Sequence, residues 1–82
     1  MESTTLIIGA SGQIGIELTM ALRQQHGAQA VIASDIRPTT DTELLQGPYE
    51  VLDVLDKEAL LACIEKYNVR EVYLLAALLS AT

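Results

Sequence analysis

The feature that most constrains this chain is a set of three evenly spaced glycines near its start. Gly9, Gly12 and Gly15 lie in the stretch TLIIGASGQIGIEL, three residues apart and directly after the apolar run Leu6–Ile8. This run is short and β-branched, which predicts a strand buried on both faces of a parallel sheet. After Gly12 the apolar residues follow a helical period. The glycines therefore mark a sharp turn from a strand into a helix.

The first helix is predicted to continue to His26, where Gly27 follows as a left-handed residue that ends it. Its polar positions include Arg23, and its apolar stripe consists of Ile14, Leu18, Ala21 and Leu22. A second buried strand is predicted at Ala30–Ala33, and it ends at Ser34 and Asp35.

The second half of the chain repeats the alternation of strands and helices. A polar loop over residues 37–48, with one possible helical turn, leads to a third strand at Tyr49–Leu52. Asp56 is the predicted N-cap of a second helix, and Glu71–Ala77 is the fourth strand. The apolar stripe of this helix consists of Leu60, Leu61, Ile64 and Tyr67.

Alternating strands and helices imply right-handed crossovers and a parallel sheet with helices on its faces. We therefore expect an α/β fold with strand order 3-2-1-4, a partial Rossmann fold. Residues 1–82 would form the N-terminal part of a doubly wound, nucleotide-binding domain, without a catalytic or substrate-binding remainder.

Each glycine has a separate physical role in such a domain. Gly9 lets the backbone turn without a Cβ clash, Gly12 leaves room for a pyrophosphate, and Gly15 lets the helix lie close to the first strand. The amides of Gln13 and Ile14 would point outward at the helix N-terminus, where free donors and the helix dipole favour an anion. The spacing alone is weak evidence, because glycines also serve turns in proteins that bind no ligand. The strand before it and the helix after it strengthen the prediction.

An acid at the end of the second strand adds to this prediction. Asp35 lies twenty residues beyond Gly15 and could accept hydrogen bonds from an adenosine ribose. A carboxylate there would repel a 2′-phosphate and so favour NAD over NADP, although Arg37 could accommodate that phosphate. Asp35 could instead be a simple turn residue. Asp53 follows the third strand on the same edge of the sheet, where it could flank an adenine or cap the next helix.

Composition excludes several classes of function. The net charge is −6 and the five Lys and Arg residues are scattered, which argues against nucleic-acid binding. The single cysteine, Cys63, rules out an internal disulfide and a cysteine metal site, and it is expected to fill the core. No apolar run reaches membrane-spanning length and no signal peptide is evident, so a cytoplasmic protein without membrane contact is expected.

Four stretches of the sequence resemble a known family. LIIGASGQIG, VIASDIR, YEVLDVLD and VYLLAALLSAT are similar to the N-terminal segment of the extended short-chain dehydrogenase/reductases, above all the metal-independent L-threonine 3-dehydrogenases. The resemblance covers Leu6–Thr82 and implies NAD-dependent oxidation of the L-threonine 3-hydroxyl to 2-amino-3-oxobutanoate.

The resemblance also implies a role for individual positions. The implied cofactor-binding residues are Gly9, Gly12, Gln13, Ile14 and Gly15 at the pyrophosphate, Asp35, Ile36 and Arg37 at the ribose, Asp53 and Val54 at the adenine, and Leu75, Ala76 and Ala77 on the nicotinamide side. The two alanines at the nicotinamide side could instead serve packing. Ser80 would meet the substrate or simply begin a loop.

The chain departs from the family pattern in one respect that concerns catalysis. Family members use a tyrosine with a lysine four residues later, and this chain contains no such pair. No catalytic residue and no metal ligand is therefore assigned, and the isolated chain is expected to be inactive. Two alternatives stay open, a sugar-nucleotide epimerase or reductase and a non-catalytic dinucleotide sensor. The apolar fourth strand would leave an exposed sheet edge, through which we expect self-association.

Overall fold

The computed structural model describes residues 4–75, which form a parallel sheet of four strands in the order β3-β2-β1-β4. This confirms the predicted strand order and the partial Rossmann fold. The elements are β1 (Thr4–Ile8), α1 (Gln13–His26), β2 (Val31–Asp35), β3 (Tyr49–Val51), α2 (Lys57–Tyr67) and β4 (Val69–Leu74), with short 3-10 turns at Ala28–Ala30 and Leu44–Gln46.

The sheet separates two apolar clusters, because successive side chains of a strand point to opposite faces. On one face Ile7 packs with Val31 and Ala33 beneath α1. On the other face Leu6 and Ile8 pack with the residues of the second cluster, among them Ile32, Leu52 and Cys63. The central strands are buried on both faces, as the sequence predicted for a parallel sheet. Cys63 is a core residue, as expected.

The face that α1 turns towards the sheet differs from the prediction. Leu18 and Leu22 pack against the core, but Ile14 is 65% exposed and Ala21 is also exposed. The buried line along the helix consists instead of Gly15, Thr19 and Arg23.

The reason for this rotation is the close approach at Gly15. A Cβ at this position would lie 2.6 Å from the Cα and the carbonyl oxygen of Ala10, so only glycine fits without a shift of the backbone. The close contact that the sequence predicted for Gly15 is therefore real, but its partner is Ala10, just after β1. It brings the Gly15 side of the helix nearest the sheet and turns Ile14 outward.

Several element boundaries also differ. Ala30 belongs to a 3-10 turn rather than to β2, and β3 ends at Val51, one residue early. β4 begins at Val69 and ends at Leu74, so Leu75 lies just beyond the strand rather than inside it. On α2 the predicted core residue Leu61 is exposed. Ala76, Ala77 and Ser80 lie outside the described residues.

The end of α1 agrees with the prediction in part. Gly27 has a positive φ of 100°, as expected, but its ψ of 147° is extended rather than left-handed helical. Its amide donates to the carbonyl oxygen of Arg23 at 2.7 Å and so closes the last turn.

Candidate functional site

The glycine turn lies over the carboxyl edge of the sheet. Gly9 has a φ of 91°, which L side chains rarely adopt, so the sharp turn predicted at this residue is present. The amides of Gly9 and Ala10 both donate to the carbonyl oxygen of Ser34, each at 2.9 Å. The turn is thus fixed directly beside the end of β2.

The N-terminus of α1 carries no cap from the described part of the protein. Gly12 occupies the N-cap position, no side chain accepts a hydrogen bond from the first turn, and the first turn contains no acid. The other helix provides an internal contrast, since Asp56 accepts a hydrogen bond from the Ala59 amide and Glu58 lies in its first turn. The first amides of α1 are therefore unused donors at the positive end of a helix dipole.

The Asp35 carboxylate lies against the glycine turn. Its Oδ2 accepts two hydrogen bonds from Ser11, one from the amide at 3.0 Å and one from the hydroxyl at 2.5 Å. Its Oδ1 accepts one from the Ile36 amide at 2.7 Å. Burial alone would raise the pKa of Asp35, but these hydrogen bonds and the nearby charge of Arg37 outweigh it, and the pKa lies below its ordinary value.

A small cleft of about 150 Å³ opens beside this carboxylate. It brings together five of the residues that the sequence assigned to nucleotide binding. The lining consists of Ile8, Gly9, Asp35, Ile36, Leu52, Asp53 and Val54.

Asp53 also has a structural role in this cleft. Its Oδ1 accepts a hydrogen bond from the Leu55 amide at 2.9 Å, and its carbonyl oxygen accepts one from the Asp56 amide at 2.9 Å. It therefore caps a turn rather than α2, whose cap is Asp56 as predicted. The alternative that Asp53 caps the next helix is therefore wrong, whereas its place beside an adenine stays a prediction for a residue that lines the cleft.

Arg37 is exposed and lies on the same side as Asp35. Its carbonyl oxygen accepts a hydrogen bond from the Tyr49 hydroxyl at 2.5 Å, which ties the start of the long loop to β3. Burial, and secondly the Asp35 charge, raise the pKa of Tyr49 above its ordinary value. The charge of Arg37 contributes to the lowered pKa of Asp35, and a role of its guanidinium towards a 2′-phosphate stays a prediction.

Sequence reasoning missed two residues that shape this region. The contact of Ser11 with Asp35 was not predicted, although the signal was available, because the ends of neighbouring parallel strands meet at one edge. The burial of Arg23 was also missed, and it contradicts the polar position assigned to this residue. A larger cavity of about 480 Å³ lies near Arg23, along the outer side of α1, and none of the predicted site residues lines it.

Other kinds of site find no support in the described residues. Residues 4–75 contain no group of three His, Cys, Asp or Glu side chains that could hold a metal ion. Within the same range, no helix is both long and apolar enough to cross a membrane.

A parallel sheet in the order 3-2-1-4, with a glycine turn opening onto a helix at its carboxyl edge, defines a Rossmann-type protein. Comparison with known proteins gives the family. The sequence model of the NAD dependent epimerase/dehydratase family matches residues 5–82, and the chain belongs to this family.

Individual relatives agree with this assignment. An uncharacterised epimerase/dehydratase of Staphylococcus haemolyticus is 46% identical over 78 residues, which cover 94% of this chain and 24% of the relative. An L-threonine dehydrogenase of Clostridium difficile superposes with a TM-score of 0.83 at 40% identity, over 89% of this chain and 23% of that one. The holo form of an L-threonine dehydrogenase from Cupriavidus necator gives a TM-score of 0.81 at 39% identity, over 88% and 23% of the two chains. The chain thus spans about a quarter of the length of these relatives.

Proposed function

We propose that this chain is the NAD-binding part of a dehydrogenase that oxidises the 3-hydroxyl of L-threonine to 2-amino-3-oxobutanoate. The observation that carries the proposal is the uncapped N-terminus of α1 beside the Asp35 carboxylate at one edge of the sheet. The similarity to two L-threonine dehydrogenases supports the choice of substrate.

The residues present fit a dinucleotide. The unused amides of Gln13 and Ile14 would hold the pyrophosphate, because free donors and the helix dipole both stabilise an anion. Gly12 would let the phosphates approach the main chain. Asp35 and Ile36 would hold the adenosine ribose, and Asp53 and Val54 would flank the adenine.

A bound NAD would supply the hydride acceptor for the carbon that bears the substrate hydroxyl. What these 82 residues would contribute is binding and orientation at the adenosine and pyrophosphate end. The proton of the hydroxyl needs a base, and none of Tyr49, Tyr67 and Tyr73 is followed by a lysine four residues later. We therefore assign the base and the substrate pocket to a part of the enzyme beyond this segment.

Calorimetric titration of the 82-residue chain with NAD and NADP tests the cofactor. We expect weak binding of NAD and weaker binding of NADP, because the carboxylate of Asp35 repels a 2′-phosphate. Gly12→Val should weaken NAD binding at least about tenfold, since its side chain would occupy the space of the pyrophosphate.

Thr40→Val is the control, because it places a valine at an exposed loop position away from the cleft. It should bind NAD as the unaltered chain does. If Gly12→Val bound NAD as well as the control did, the glycine turn would not be the phosphate site.

The substrate is tested on the enzyme that carries this segment. We expect NADH to form with L-threonine, measured by absorbance, and no turnover of uridine diphosphate sugars. Turnover of the sugar nucleotides alone would instead identify an epimerase or reductase. Tight NAD binding without turnover of either substrate would identify a sensor.

A further inference from the structure

We propose that Ser11 is a positioning residue that fixes the Asp35 carboxylate and thereby sets the preference for a dinucleotide without a 2′-phosphate. The inference rests on the proposed NAD-binding function and extends it to a residue that does not itself touch the cofactor.

The contacts place Ser11 between the two parts of the site. It lies between Gly9 and Gly12 in the turn after β1, and Asp35 is the last residue of β2. β1 and β2 are neighbouring parallel strands, so their carboxyl ends meet. Both donors of Ser11, the amide and the hydroxyl, reach the same oxygen, Oδ2.

The contact with Ser11 limits the number of acceptor positions that the Asp35 carboxylate has left for a ligand. A carboxylate offers about four lone-pair positions, two on each oxygen. Ser11 uses both on Oδ2, and the Ile36 amide uses one on Oδ1. One position on Oδ1 is left among the described contacts, at the residue that lines the cleft. A ribose hydroxyl can donate to that position, whereas a 2′-phosphate has no proton to donate when fully ionised.

The Ser11 hydroxyl also restrains the rotation of the carboxylate, because it holds Oδ2 together with the Ser11 amide. Without this hydroxyl, Oδ2 keeps only the amide hydrogen bond, and the carboxylate is freer to turn away from the cleft. The positive charge of Arg37, which acts on Asp35, would then favour a 2′-phosphate with less opposition from the carboxylate. Loss of the hydroxyl should therefore weaken NAD binding more than NADP binding.

The experiment is calorimetric titration of NAD and NADP into the chain and its variants. We expect Ser11→Ala to weaken NAD binding about three- to tenfold, the net effect of one ordinary hydrogen bond, and to reduce the preference for NAD over NADP by at least about threefold. Ser11→Thr keeps the hydroxyl and should keep the preference. Thr40→Ala, which removes an exposed hydroxyl away from the cleft, should change neither affinity.

A double-mutant cycle separates positioning from a merely structural role. In the Asp35→Asn background, Ser11→Ala should no longer change the ratio of the two affinities. Ser11→Gly removes the same hydroxyl and serves as a second variant should Ser11→Ala fail to fold, which thermal unfolding would show.

The outcomes that overturn the inference are distinct from failure of the proposed function. If Ser11→Ala weakened NAD and NADP equally, or had the same effect with Asn at position 35, Ser11 would not act through Asp35, while NAD binding itself would stand. If the unaltered chain bound neither dinucleotide, the proposed function and this inference would both be wrong.

Discussion

At the scale of single residues, Arg23 is the most unusual side chain of the core. It is 8% exposed, and within residues 4–75 its guanidinium donates only to main-chain carbonyl oxygens. Nε donates to the carbonyl oxygen of Val31 at 3.1 Å, and Nη2 donates to that of Pro48 at 2.7 Å. Nη1 donates to the main-chain carbonyl oxygens of Glu43 at 3.2 Å and Leu44 at 2.7 Å. Burial lowers its pKa, but an arginine stays charged at any ordinary pH. One side chain thus joins α1, the start of β2 and the loop before β3.

Gly47 belongs to the same arrangement. A Cβ at this position would lie 2.6 Å from the carbonyl oxygen of Ala28 and 2.8 Å from the guanidinium of Arg23. The loop therefore passes so close to the buried arginine that a side chain has no room there.

Replacement of Arg23 by methionine tests this arrangement. Arg23→Met keeps much of the side-chain volume but leaves several carbonyl oxygens without a donor, so we expect a loss of about 2–5 kcal/mol in the free energy of unfolding. Urea denaturation measures this loss. Arg70→Met is the control, because Arg70 is exposed, and it should change stability by about 0.5 kcal/mol or less. Equal effects of the two substitutions would contradict the role of Arg23.

At the scale of elements, a polar contact joins β3 to the end of α2. The Oε2 of Glu50 accepts hydrogen bonds from the Tyr67 hydroxyl and from the Lys66 ammonium, the latter at 3.0 Å. The hydrogen bond from Tyr67 is the main cause of the lowered pKa of Glu50. Burial acts in the opposite direction, and Lys66 lowers the pKa further. The same hydrogen bonds to Glu50 are the first cause of the raised pKa values of Tyr67 and Lys66.

The lowered pKa fixes the sign of a pH dependence. A carboxylate with a depressed folded-state pKa stabilises the protein above its unfolded pKa, about 4.3 for Glu, and this contribution is lost as the pH falls through the lower folded value. We expect Glu50→Gln to cost at most about 1 kcal/mol at pH 7, because the pair is partly exposed. The cost should shrink as the pH falls below about 4.

Urea denaturation midpoints of the unaltered chain and of Glu50→Gln, measured between pH 7 and pH 3, give this cost directly. Glu65→Gln is the control, since Glu65 is an exposed acid on the same helix, and it should show a smaller difference at every pH. A cost of Glu50→Gln that stayed constant down to pH 3 would contradict the assignment.

Elements were more predictable than the contacts between them. The alternation of buried strands with helices was sufficient for the order of the sheet, and three glycines and one acid predict a nucleotide site at its carboxyl edge. The rotation of α1 was missed, because it depends on the space between Gly15 and Ala10 rather than on the apolar stripe. The hydrogen bonds of Arg23 were missed for a similar reason: they join its guanidinium to main-chain oxygens that only the fold brings close.

At the scale of the whole molecule, the described sheet is covered in its centre and open at one side. β4 is an edge strand among residues 4–75, and its apolar residues Val72 and Leu74 are 48% and 42% exposed. Such an edge can pair with another chain, so self-association stays a prediction. We expect only weak binding of NAD for a separate reason, because the candidate site on the described residues consists of one small cleft.

Amide chemical-shift mapping by NMR during a titration with NAD tests the central claim most directly. We expect the largest shifts at Gly12, Gln13 and Ile14, where the pyrophosphate would bind, and at Ile36 beside the ribose. The capped N-terminus of α2, at residues 57–59, is the internal reference and should not respond. Shifts confined to the cavity along the outer side of α1, or no shift in the glycine turn at saturating NAD, would contradict the account.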